Sequence, residues 1–369
     1  MGKDDPSVVH GGLNTYVAGL VSGLRERGAA VAWLVSGEVS AASVVSAARG
    51  TTLMRAAQFF AKGFVCSDNI VNTHFPLYGV PFLLGVRARD VVSARSWRGA
   101  SPQRIVHFHG PWGEESAVAQ GRRSFSSMVK SAMDRLHLKM GGHVVVLSRT
   151  FRSRAIELGA LPERVNVIPP GVAPVWFDGN GERPCERGSG TVRLVCVRRL
   201  TRRMGHVGLL SALDDLSFRA GGRDISIDIV GTGDLEPELR QWVEDHDASA
   251  RVVIHGALNQ VDLVALVAGA HASVVPTTEL EGFGLVVIES MATSVPVIST
   301  GQGGLGEAMG PWAREPFVFD IADTKSLERA IVAAVDLDSR QLGEMRDYAR
   351  SHAWPAVAES IKALTRVVA

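Results

Sequence analysis

Residues 276–292 read Pro-Thr-Thr-Glu-Leu-Glu-Gly-Phe-Gly-Leu-Val-Val-Ile-Glu-Ser-Met-Ala, with carboxylates at Glu281 and Glu289 around two glycines, Gly282 and Gly284. A β-branched run ends at Val275, an acidic loop follows, and an apolar helix is expected from near Gly284. Glycine at such a junction lets a ligand approach the N–H groups that open a helix, where the dipole favours phosphate. Glu281 falls in the loop, and Glu289 falls about 7–8 Å beyond Gly284 at 1.5 Å per residue. Carboxylates placed this way can accept hydrogen bonds from two sets of hydroxyls, as on a sugar and a ribose. The plainer reading is a capped helix with solvated acids.

Two further clusters could do chemistry. In His107-Phe-His109-Gly-Pro-Trp, His109 closes a short apolar strand and precedes a Gly-Pro turn, a position open to a ligand. His107, two residues earlier on the strand, points the same way and ranks second. The run Arg198-Arg-Leu-Thr-Arg-Arg-Met-Gly205 supplies cations that could meet an anionic leaving group, since the planar guanidinium binds phosphate bidentately. Its alternative is a solvated loop.

Other chemistries fit less well. Gly301-Gln-Gly-Gly-Leu-Gly306 has dinucleotide-type spacing, but Pro311 cuts short the helix that must follow, and the match lies late in the chain. Nucleotide-triphosphate, zinc-protease and serine-hydrolase motifs are absent. No lysine lies between Lys139 and Lys325, so pyridoxal phosphate lacks a Schiff-base partner there. Neither the acidic loop nor the arginine run carries an Asp-x-Asp, so no divalent metal is expected to hold a diphosphate.

The elements that must position these residues alternate between short apolar runs and amphipathic stretches, the pattern of β-α units around parallel sheets. Strands are expected at 31–35, 105–108, 144–147 and 165–168, and again at 192–197, 225–230, 252–254, 272–275 and 295–299. Helices are expected at 13–27, 125–140 and 149–158, then at 207–216, 236–245, 262–268 and 285–293. Residues 177–191, rich in Gly, Pro and charge, read as a linker. One anomaly stands at the start: only Val8 and Val9 precede Gly11-Gly12, where an opening strand belongs.

At 369 residues two domains are expected. A net charge of +1 calls for no nucleic acid, and the unpaired set Cys66, Cys185 and Cys196 suits a reducing cytoplasm better than a disulfide framework. No apolar run is long enough to span a bilayer. Membrane contact is expected to be peripheral at most, through Arg-rich stretches such as 122–139.

In this order the segments resemble the family-4 retaining glycosyltransferases of the GT-B fold. The likeness runs from Gly11-Gly-Leu-Asn-Thr-Tyr-Val through the His107–Trp112 segment and Val146-Leu-Ser148 to Val167-Ile-Pro-Pro-Gly171. It continues with Asp228-Ile-Val-Gly-Thr-Gly233, Gly256, the Glu281–Glu289 stretch and Gly303-Gly-Leu-Gly-Glu307. The resemblance implies an α/β protein of two Rossmann-like parallel-sheet domains facing an interdomain cleft. Residues 1–175 would bind acceptor, 176–191 would link, 192–345 would bind the nucleotide sugar, and 346–369 would form a helical segment.

It further implies that Glu289 holds the ribose hydroxyls and Glu281 those of the transferred sugar. Backbone amides of Phe283, Gly284 and Leu285 would meet the donor, as would the glycine at Gly231. Gly12 would let the first loop approach the diphosphate, and His109 would face the reacting centre. Arg199 takes the family's arginine role, but Met204 stands where the family keeps a lysine, so Arg203 or Arg202 must substitute. Ala173 replaces a common aspartate, and Met291-Ala-Thr-Ser-Val-Pro296 lacks a common glycine. The implied activity moves a hexose-type sugar, with retention, from a nucleoside-diphosphate sugar to a small or lipid-linked acceptor. Neither metal nor cofactor is expected, and the Arg-rich composition suits bacterial antibiotic or glycoconjugate biosynthesis. The rivals are a sugar-nucleotide epimerase of the same fold and a weakened nucleotide-sugar binding protein.

Overall fold

The computed structural model describes residues 12–36, 44–48, 50–66, 68–94, 102–119, 121–178 and 190–366. Val8, Val9, Gly11 and most of the expected linker lie outside the described residues. The chain divides into two compact units, one of residues 1–171 with 354–369 and the other of residues 172–353.

The first unit opens with α1 (Gly12–Glu26), followed by the short strands β1 (Trp33–Ser36) and β2 (Val44–Ala48) and helix α2 (Thr52–Phe64). Then come β3 (Ile70–Thr73), α3 (Pro76–Ala94), β4 (Gln103–Phe108), α4 (Trp112–Ala119) and α5 (Phe125–Met140). β5 (His143–Val146), α6 (Arg149–Glu157) and β6 (Val165–Val167) complete the series. Strands β3-β4-β5-β6 form a parallel sheet in sequence order, while β1 and β2 pair with each other. The apolar run Val144-Val145-Val146 is buried on both faces, as a parallel strand between helices must be. Ser148 accepts the N–H of Phe151 at 3.1 Å and caps α6.

The second unit contains β7 (Thr191–Val197), α7 (His206–Asp215), β8 (Arg219–Ala220), β9 (Arg223–Val230) and α8 (Glu236–Asp245). It continues with β10 (Val252–Gly256), α9 (Gln260–Ala268), β11 (Ala272–Val275), α10 (Leu285–Ala292) and β12 (Val297–Ser299). Helices α11 (Leu305–Met309), α12 (Thr324–Val335) and α13 (Ser339–Arg350) close it. The sheet order is β10-β9-β7-β11-β12, all parallel, with β8 antiparallel on β9. With β7 central and the order of strand addition reversing beside it, loops after β7, β9, β11 and β12 gather at the carboxyl edge, the usual place for a ligand in such sheets.

The unit borders differ from the expected 175 and 345. A 3₁₀ turn, Pro174–Phe177, packs on α10 and so belongs to the second unit. The expected C-terminal segment splits. Helix α13 buries Leu342, Met345 and Ala349 within the second unit, whereas α14 (Trp354–Arg366) packs on α1 in the first. Trp354-Pro355 is therefore a helix start, where proline costs no hydrogen bond. Among the described residues no helix is long and apolar enough to cross a membrane.

Candidate active site

In the second unit the acidic loop leaves β11 and turns into α10 at Gly284, whose φ of 85° suits glycine and whose missing side chain makes room for Leu305. Phe283 is buried, with its ring 6.0 Å from that of His352, and Leu285 is half-buried as the first helical residue. The predicted amides of Phe283, Gly284 and Leu285 stand at the opening of the helix, the end where helix geometry leaves donors. The loop is braced by the segment after β12, where the N–H of Gly304 donates to the carbonyl of Glu281 at 2.9 Å.

Glu281 is nearly enclosed and forms an ion pair with Arg198. Arg198 directly follows β7, and its side chain is 9% exposed while that of Glu281 is 12%. Burial pulls the guanidinium down to about 10, still charged at neutral pH. Its Nε is buried and has no hydrogen-bond partner among the described residues. Arg199, the cation expected from the sequence, is exposed, and the ion pair with Glu281 is made by its neighbour. Adjacent residues at a strand end point to opposite sides, which sets the two arginines apart.

Arg203 is brought to the acidic loop, though as a brace. Its Nη1 donates to the carbonyls of Leu280 at 3.1 Å and Glu279 at 3.4 Å, and its own carbonyl accepts from Thr278. Arg202 points to an exposed pair with Glu238 at 2.6 Å. Met204, at the expected lysine position, is buried, and the Thr277 hydroxyl donates to its sulfur at 3.8 Å. A lysine there would bury an ammonium near a guanidinium. Gly231, expected to meet the donor, stands against the chain that follows β7. Its φ is 142°, and a Cβ would stand 1.9 Å from the carbonyl of Arg198, so glycine here lets two loops close together.

Glu289 lies on α10 and accepts a hydrogen bond from the side chain of Trp176 in the 3₁₀ turn. Burial raises its carboxyl to about 7, against the lowering effect of that bond. Trp176 was missed because the linker was expected to begin there.

In the first unit His109 and His107 stand at the end of β4, and the structure adds His74 from the end of β3. His107 is locked. Its Nε2–H donates to Asn72 Oδ1 at 2.9 Å, and its Nδ1 accepts the Tyr16 hydroxyl at 3.1 Å. His74 Nδ1 and His109 Nε2 share a hydrogen bond of 3.2 Å. Burial, more than the mutual repulsion of the rings, holds His74 and His107 well below the usual histidine value and His109 at about 3, so all three are neutral. Ligand nitrogens of the three lie within 4.8 Å of one another. The rings, however, are tilted by only 10–23° and stack, whereas the in-plane lone pairs of metal ligands must converge. This is a hydrogen-bonded stack with His109 its most open member. Gly12 is exposed in the first turn of α1, four residues before Tyr16.

Asp-x-Asp spacing does occur elsewhere, at Asp245–Asp247 and Asp336–Asp338. Asp336 pairs with Arg223 at 3.1 Å, Asp338 caps α13, and Asp245 accepts from Gln241 at 2.9 Å. They stand at or near helix ends, away from the acidic loop in sequence, and these three have structural partners.

Residues 10–175 match Glycosyltransferase Family 4, and residues 186–352 match Glycosyl transferases group 1. The chain belongs to the family-4 glycosyltransferases of the GT-B fold class and is a glycosyltransferase. It is 26% identical over 333 residues to D-inositol 3-phosphate glycosyltransferase of Pseudarthrobacter chlorophenolicus, covering 81% of this chain and 76% of that protein. Among solved structures it resembles sucrose-phosphate synthase of Thermosynechococcus elongatus, with a TM-score of 0.73 and 20% identity over 97% of this chain and 94% of that one. It likewise resembles Anabaena HepE in complex with UDP-glucose, with a TM-score of 0.73 and 15% identity over 100% and 98% of the two chains.

Proposed function

We propose that the protein transfers a hexose-type sugar from a nucleoside-diphosphate sugar to a small polar or lipid-linked acceptor, with retention and without metal or cofactor. One arrangement carries this reading: the enclosed Arg198–Glu281 pair beside the first turn of α10, with Glu289 further along that helix. Glu289 accepts ribose hydroxyls, with Trp176 fixing one side of its carboxylate. Glu281 orients the sugar, and Arg198, whose guanidinium holds Glu281, adds positive charge beside the helix start that meets the departing diphosphate. The second unit thus takes the donor and the first the acceptor, where neutral His109 offers a hydrogen bond rather than a charge. The UDP-glucose bound by Anabaena HepE and the inositol phosphate acceptor named for the Pseudarthrobacter relative support a nucleotide-sugar donor and a polyol-like acceptor. A cytoplasmic place in antibiotic or glycoconjugate synthesis fits the same chemistry.

The test is the anomeric configuration of product formed in EDTA, read from proton coupling at the new linkage. Retained configuration at undiminished rate is expected. An inverted product, or activity that chelation abolishes and magnesium restores, would contradict the proposal.

A further inference from the structure

Helix α5 turns an apolar stripe toward solvent. Phe125, Met128, Val129, Ala132 and Leu136 recur at helical spacing and are all exposed, Phe125 by 82% and Met128 by 64%. The opposite side is the packed one, with Asp134, His137, Leu138 and Met140 buried. A solvent-facing stripe of this kind calls for an explanation, since large apolar side chains rarely gather on a free surface.

The stripe is not isolated. Strands β3, β4 and β5 are parallel neighbours in sequence order, so right-handed crossovers place α3 and α5 on one face of the sheet, and α3 packs against both α2 and α5. Helix α2 likewise exposes Leu53, Met54, Phe60 and Phe64, and α3 exposes Leu84, Val91 and Val92.

Charge decides what fits this face. Arg122, Arg123, Arg135 and Lys139 are exposed on and just before α5, and Arg87 is exposed on α3. The three helices hold two acids only: Asp90, paired with Arg89 at 2.9 Å, and Asp134, buried and accepting the N–H of Gly113 at 3.0 Å. In a chain of net charge +1 the surface is therefore locally cationic and apolar at once. A second copy docking by two-fold symmetry would set cation against cation. An anionic bilayer surface complements both features, taking the apolar side chains into its interface and the arginines among its headgroups.

We propose that the α2–α3–α5 face of the first unit docks on anionic lipid bilayers. It does not depend on the assignment of the donor site. The test is co-sedimentation of the full chain with vesicles of phosphatidylcholine alone and with about one-third phosphatidylglycerol, at low and high salt. Binding to the anionic vesicles at least about tenfold stronger than to the neutral ones, weakening with salt, is expected. Phe125→Ser with Met128→Ser, and separately Arg122→Glu with Arg123→Glu, should each weaken it while leaving Tm and circular dichroism unchanged, because all four side chains are exposed. Protein that stays in the supernatant with both vesicles would overturn the proposal. So would binding untouched by the Phe125–Met128 variant, or a dimer in sedimentation velocity that both variants dissolve.

Discussion

Arg198→Ala is expected to lower turnover about 10²–10³-fold, the usual loss when one preorganised donor to developing charge is removed. It should also destabilise the protein by about 3 kcal/mol, because the nearly enclosed Glu281 carboxylate would lose its counter-ion. Arg199→Ala, one residue on, should leave both close to wild type, since that side chain is exposed. Steady-state kinetics beside thermal melts of the two variants separate the assignments. A silent Arg198→Ala, with the loss at Arg199 instead, would return the catalytic cation to the position expected from sequence.

The two glutamates should fail differently. Glu281→Ala is expected to cut kcat by about 10²–10³-fold, because the sugar would lose its orientation at the reacting carbon and Arg198 would be left unpaired. Glu289→Ala should mainly raise KM for the donor. Ribose contacts are equal in ground and transition states, and loss of hydrogen bonds to a carboxylate worth about 1.5–3 kcal/mol corresponds to about 10–100-fold in affinity. Equal losses of kcat in both variants, with KM unchanged, would mean that Glu289 does not hold the nucleotide. Glu289→Gln, which keeps the size of the side chain, guards against a simple packing defect.

How far these roles were legible in the sequence depends on the local signal. The acidic loop was readable because glycines, an apolar helix and two carboxylates occur together, and each has a distinct physical meaning. The choice between Arg198 and Arg199 was not. Strand β7 is buried at Val192, Leu194, Val195 and Cys196, so both faces are covered and no alternation shows which arginine turns inward. Met204 could be read as a departure from the family, yet only packing shows that its site is enclosed and that Arg203 is spent on the carbonyls of the acidic loop.

The stretch between β1 and β4 was illegible for a different reason. Helices α2 and α3 carry apolar residues on their outer as well as inner faces, which blurs the 3.6-residue period. Strand β3, Ile-Val-Asn-Thr, is only four residues long with two of them polar. His74 therefore had no strand to be placed on, although its partnership with His109 makes it part of the same stack. Trp176 could have been found: a tryptophan is out of character in a Gly- and Pro-rich linker, and large aromatics with an N–H seek a buried partner.

The central claim is that the second unit binds a nucleoside diphosphate between Arg198, the start of α10 and Glu289. It is tested most directly by thermal melting of the full chain with UDP, GDP or dTDP, at about one pH unit above the Glu289 carboxyl's value of about 7 so that this group is ionised. At least one nucleotide should raise Tm progressively with concentration, as a ligand specific for the folded state does, and the rise should shrink in both Glu289→Ala and Arg198→Ala. No shift with any nucleotide, or a shift that both variants retain in full, would contradict the account.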